Sequence, residues 1–151
     1  VTECRPDAGL TVSVGEHRIG FAVAGVPHLT ILVDDVQTVD VVGRGRPLRH
    51  HPSLAHGANV NFVQNLGAGA FRYRTYERGV EAETLACGTG AVAATVLLTA
   101  WGLATGQARL QTRSGRELRV RLSGPSAAQT PSLSGEARIV FTGQLGEIQG
   151  S

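Results

Sequence analysis

The chain has 151 residues, 42% of them hydrophobic and 5% aromatic, with a formal net charge of +2. That length suits one domain spanning 1–151 with a real core. The near-neutral charge and scarce aromatics exclude a nucleic-acid stripe with stacking rings, and no segment reads as a membrane span or secretory leader.

In chain order, Thr11–Val14 and Ile19–Val23 flank Gly15-Glu-His-Arg18 and predict a hairpin. Gly25-Val-Pro-His28 interrupts the chain, and Leu29–Val33 predicts a third strand that ends at Asp34-Asp35. Residues Thr38–Val42 suggest a short fourth element. Gly43–His51 predicts a short surface helix with Pro47 near its first turn. His50, His51 and His56 follow, but their spacing matches no common zinc arrangement, so no metal site is expected.

Ala58–Val63 and Ala70–Tyr76 alternate as strands, and Glu77-Arg78-Gly79 stands at the end of the second. Adjacent opposite charges usually form a solvated surface pair; ten residues before a cysteine loop, they can also converge on that loop. Thr84-Leu-Ala-Cys-Gly-Thr-Gly90 then opens the longest apolar run, Ala91–Trp101, interrupted only by Thr95 and Thr99. A helix that is apolar nearly all round is buried, and Thr84 or Thr89 is the expected cap. Ala108–Thr112 and Glu117–Leu122 predict a hairpin through Ser114-Gly115. Ser123–Ser132 reads as a loop and Ala137–Thr142 as the last strand. The sum is α+β: a curled, mostly antiparallel sheet wrapped around one central apolar helix.

The chemistry concentrates at Cys87. A sulfur at a helix start meets unpaired N–H groups and the positive end of the dipole, which favour the thiolate, and the same N–H groups suit a ligand carboxylate. The plain alternative is a small buried hydrophobe, as most free cysteines are. Cys4, without flanking glycines, reads as structural or incidental. Two cysteines make no disulfide framework, so a cytoplasmic setting is expected. Every basic side chain is arginine, so the chain offers no lysine for a pyridoxal-phosphate Schiff base.

Tyr76-Glu-Arg-Gly-Val80 followed by Glu83-Thr-Leu-Ala-Cys-Gly-Thr-Gly-Ala91 resembles the signature of the diaminopimelate epimerase family. Gly25-Val-Pro-His28, His51-Pro52, Asn59-Val-Asn-Phe-Val63 and Leu133-Ser-Gly-Glu-Ala137 fall in that family's order. The likeness extends over essentially the whole chain, as the C-terminal half of the family. It implies a cofactor-free enzyme with two similar domains, each a curled sheet around a helix, and an active site between them. One thiolate removes the substrate's α-proton and a thiol on the opposite face returns one, here converting LL- to meso-diaminopimelate, a lysine and peptidoglycan precursor. By this resemblance Cys87 is one catalytic cysteine, and Gly88 and Thr89 hold the reacting α-carboxylate. Asn59, Glu77 and Arg78 bind the distal amino-acid end, while His28 supports them near the glutamate. Val26 replaces an asparagine frequent in the family.

No second glycine-flanked cysteine is present, so the N-terminal half is expected on a longer polypeptide or another chain, and the isolated chain is expected to be inactive. A homodimer is the less favoured arrangement, since a two-fold axis presents the same surface twice. The expected partner is an amino-acid substrate, with no nucleic acid or membrane. The alternatives are a related cofactor-free amino-acid isomerase and a non-catalytic half-domain that binds a small molecule or a protein.

Overall fold

Gly25 sets the first long hairpin. It adopts φ +76°, a conformation open to glycine at no steric cost, and so turns the chain between Ala24 and Val26. The computed structural model describes residues 1–125 and 129–144. Its elements are β1 (Glu3–Arg5), β2 (Glu16–Ala24), β3 (Val26–Val33), a 3-10 turn (Val36–Thr38), α1 (Val41–Arg49), β4 (Asn59–Gly67), β5 (Ala70–Glu77), β6 (Ala82–Thr84), α2 (Gly88–Ala100), β7 (Gln107–Gln111), β8 (Glu117–Ser123) and β9 (Thr130–Gly135). This is a mixed α+β structure with one large sheet and two helices.

The sheet runs β1-β2-β3-β4-β5-β7-β8-β9, and β6 adds to β5. Most neighbours are antiparallel; β3 with β4 and β5 with β7 are parallel. Parallel neighbours require a crossover, and α1 and α2 are the crossovers at these two places. One edge of β5 is divided, with Ala70–Arg72 facing β7 and Thr75–Glu77 facing β6. The end of β5 therefore lies beside the segment that leads into Cys87.

Alternation along the strands builds two apolar layers. Ala22, Val63, Phe71, Tyr73 and Leu110 pack on α2, which is buried without interruption from Gly90 to Leu98. Thr95 and Thr99 satisfy their hydroxyls within the helix, donating to Ala91 O and Thr95 O at 2.9 and 2.8 Å. Gly20 lets β2 lie close: a Cβ there would stand 2.6 Å from Leu97 Cδ2. On the opposite face, Ile19, Phe21, Leu29, Ile31, Phe62 and Tyr76 pack with Val41 and Leu48 of α1.

Several elements differ from what the sequence predicts. α1 is no mere surface helix, because Val41, Gly45 and Leu48 are buried. It starts at the Asp40 cap, earlier than expected, so Pro47 falls in its last turn, where little helix remains to be disturbed. Thr11–Val14 forms no strand; Glu3–Arg5 pairs with β2 instead. Gly25–His28 does not interrupt the sheet, since Val26 already pairs with Ala24. The cap of α2 is Cys87 itself, neither Thr84 nor Thr89. Ala137–Thr142 forms no strand, and Ile139, Val140 and Phe141 are 87%, 87% and 82% exposed. Strand propensity expresses itself only where a neighbouring strand and a packed face receive it. β9 instead takes Thr130–Ser132 out of the expected loop, whose residues 126–128 lie outside those described.

Candidate active site

Cys87 has extended backbone angles, φ −135° and ψ 114°, and its Sγ accepts the Gly90 N–H at 3.4 Å. The thiol thus takes the place of the usual hydroxyl or carboxylate cap. Gly88 and Thr89 follow as the first helical residues, whose N–H groups have no intrahelical acceptor. Cys87 and Gly88 are half-buried, and Leu85, Ala86 and Thr89 are exposed. The sulfur and the two N–H groups therefore lie on a partly open face at the start of a buried helix, with the Leu133 side chain of β9 close over Gly88.

Behind the sulfur is a buried polar network. His28 Nε2 lies 3.1 Å from Thr89 Oγ1, which lies 3.5 Å from Cys87 Sγ. The fully buried Asn61 donates from Nδ2 to Leu29 O at 2.9 Å, and the same nitrogen meets His28 Nδ1 at 3.3 Å. A carbonyl only accepts, so the Leu29 contact fixes the Asn61 amide. His28 Nδ1 is then an acceptor and the proton of neutral His28 sits on Nε2, directed at Thr89. The Thr89 hydroxyl, having accepted, keeps its own proton for the sulfur. Burial, with the Arg78 charge as a lesser cause, lowers the His28 pKa to about 4. The imidazole is thus neutral near pH 7.

Asn61 Oδ1 accepts from Tyr73 Oη at 3.1 Å and Thr75 Oγ1 at 3.0 Å, and Tyr73 Oη also reaches Cys87 O at 3.1 Å. Burial holds the Tyr73 phenol well above its ordinary range, so it remains a hydrogen-bond donor. Gly90 has no room for a side chain here; a Cβ would collide with Tyr73 Oη and Asn61 Oδ1. The glycine is what lets the helix start settle on this network.

The remaining sequence-predicted residues flank the site. Asn59 accepts the Arg78 N–H at 2.8 Å and donates to Pro27 O at 3.2 Å, bridging the start of β3 to the residue after β5. Glu77 accepts from Thr84 Oγ1 at 2.5 Å, across the β5–β6 pairing. Arg78 donates to His56 O at 3.0 Å. Among the described residues Glu77 and Arg78 form no ion pair with each other, and His28 bonds to Thr89 and Asn61, not to Glu77. Asn61 and Tyr73 were missed. The available signal was a second asparagine at i+2 in an apolar strand, which places both asparagines on one face.

The histidines of the α1 region are occupied separately: His50 approaches Glu81 and His51 bonds Ser53. Among the described residues no three His, Cys, Asp or Glu side chains cluster as a metal set, and no helix is long and apolar enough to cross a membrane.

The diaminopimelate epimerase family model matches residues 21–140, which takes in the whole network around Cys87. The chain belongs to the diaminopimelate epimerase family. A diaminopimelate epimerase of Gemmatimonas aurantiaca is 48% identical, over 96% of this chain and 56% of its own. One of Aquifex aeolicus is 43% identical, over 91% of this chain and 50% of its own. The chain therefore spans about half the length of these curated relatives. A hydroxyproline epimerase structure from Agrobacterium vitis covers 83% of the chain and 44% of its own, with TM-score 0.60 and 22% identity. That likeness supports the fold.

Proposed function

We propose that this chain supplies one half of a cofactor-independent, two-base diaminopimelate epimerase, and that Cys87 is one of its two proton-transfer groups. The observation that carries the proposal is the Cys87 cap. The Gly90 N–H and the Thr89 hydroxyl both face Sγ, and two N–H groups without intrahelical acceptors stand beside it, in a chain of this family.

In the reaction, a substrate α-carboxylate lies on the N–H groups of Gly88 and Thr89. The Cys87 thiolate takes the α-hydrogen as a proton, and the C–H bonding pair stays on the α-carbon, delocalised into the carboxylate. Preorganised donors stabilise the charge as it develops there. A thiol on the opposite face, supplied by the other half of the enzyme, returns a proton to that carbon and inverts it. Run in the other direction, Cys87 is the donor and the opposite sulfur the base. The neutral His28 and Thr89 hold a donor towards Cys87 without adding a second ionisable charge.

At the distal end, Arg78 presents a guanidinium to a carboxylate and Glu77 a carboxylate to an ammonium, with Asn59 fixing the Arg78 backbone. The curled sheet around α2 forms a single domain, the C-terminal half of a two-domain enzyme. The isolated chain is inactive, and the setting is cytoplasmic.

The test uses the protein together with whatever completes its second half, in D₂O. LL-diaminopimelate should gain deuterium at an α-carbon and yield the meso isomer, while hydroxyproline and alanine should not exchange. Equal exchange with alanine would remove the distal-end assignment, and no exchange with diaminopimelate would remove the function.

A further inference from the structure

The sheet face turned away from α2 carries a second polar feature, apart from the cysteine site. Arg72 and Arg74 alternate with Phe71, Tyr73 and Thr75 on β5, so both arginines project to the same side. Arg72 also stands opposite Gln111 of β7. Arg113, in the turn after β7, comes to the same place, because it shares a carboxylate with Arg74. That carboxylate is Glu83 on β6, whose side chain is 8% exposed. Glu83 takes two parallel bonds from Arg74, at 2.7 and 2.9 Å, and one contact from Arg113 Nη1 at 3.0 Å.

The charges do not balance. Arg74 is fully engaged, since its Nη1 also donates to the carbonyls of Val36 and Val39 at 2.9 and 3.0 Å. Asp40, which caps α1, keeps its charge and acts on Arg74; among the described residues it makes no ion pair with Arg72 or Arg113. Arg113 has one contact and is half exposed. Arg72 is half-buried, and among the described residues it has no hydrogen-bond or ion-pair partner. Like charges gathered on one sheet face repel, and here two carboxylates, Glu83 in direct contact and Asp40 acting on Arg74 alone, answer three guanidiniums. These arginines, with Gln37, Gln111 and Thr112, line a cavity of about 410 Å³.

We propose that this cavity binds a phosphate-class oxyanion, free or as the ester of a small metabolite, between Arg72 and Arg113. Planar guanidinium forks match the oxygens of phosphate. The cavity lies within the size range of small-ligand sites, so it has room for more than the phosphate itself. The oxyanion supplies the charge that Glu83 and Asp40 leave unanswered at Arg72 and Arg113.

The experiment measures thermal unfolding of the purified protein at constant ionic strength, with sodium chloride replaced stepwise by inorganic phosphate or by glycerol phosphate. The wild type should show a rise in Tm that saturates with concentration, as for a ligand bound only by the folded state. R72Q should be at least as stable as wild type in chloride and lose the response, and R113Q should need several-fold more ligand. R18Q, at an exposed arginine on β2, should respond like wild type. A response to the ester at lower concentration than to inorganic phosphate identifies the esterified form as the ligand, and equal responses identify phosphate itself. A rise that never saturates, or an R72Q response equal to wild type, would overturn the proposal as a general salt effect.

Discussion

Asn61→Leu is the most informative perturbation of the site's foundation. Leucine has a similar volume but no polar atoms, so the change strips the centre of the network without opening a large cavity. Thr75 Oγ1 loses its acceptor at 3.0 Å, His28 Nδ1 its donor at 3.3 Å and Leu29 O its side-chain donor at 2.9 Å. Tyr73 Oη retains Cys87 O. A buried group left unpaired costs about 1–3 kcal/mol, so the stranded Thr75 hydroxyl and His28 imidazole alone imply a loss of about 2–6 kcal/mol. Urea denaturation should show a lower midpoint with an unchanged slope. The double variant Asn61→Leu/Thr75→Val removes the stranded hydroxyl along with its acceptor. It should therefore be less destabilised than the sum of the single changes, by about 1–2 kcal/mol. A loss below about 1 kcal/mol for Asn61→Leu, or strict additivity in the double variant, would refute this reading of the network.

Two further outcomes concern buried groups nearby. Thr30 is fully buried and its hydroxyl has no partner among the described residues, so Thr30→Val should leave the protein as stable or about 1 kcal/mol more so; a loss beyond about 1 kcal/mol by denaturant melt would contradict it. His28 is neutral in the folded state down to about pH 4, whereas the unfolded chain protonates it near pH 6.5. Between those values the unfolded state binds more protons, so stability should fall as pH drops, by on the order of 3 kcal/mol over the window. His28→Gln should flatten that part of the pH profile, and an unchanged profile would show that His28 is not the titrating group.

The site was partly legible because its parts are local. Cys87, Gly88 and Thr89 are consecutive, and a cysteine followed by small residues and an apolar run already implies a helix start. Asn61 and Tyr73 were not legible. Each looks like an ordinary strand residue until β4 and β5 pair and α2 settles on them. The Cys87 cap was missed for a related reason: hydroxyl residues outrank a thiol as caps in general, but Thr89 falls inside the helix once Gly88 begins it. Ala137–Thr142 marks the same limit in the fold, where an alternating pattern states a preference and a neighbouring strand decides. Pro47 shows it for helices, because the first turn was set by Asp40, three residues upstream of the expected start.

Proton transfer at Cys87 is tested by Cys87→Ser in the completed enzyme. A serine hydroxyl has nearly the thiol's shape and is far less acidic, so the variant should bind diaminopimelate with an affinity within a few-fold of wild type. Interconversion of the LL and meso forms, followed by deuterium incorporation at the α-carbon, should fall by at least about a thousandfold, as expected when a positioned acid–base group is lost. A variant that binds substrate and still epimerises within about tenfold of wild type would contradict the account.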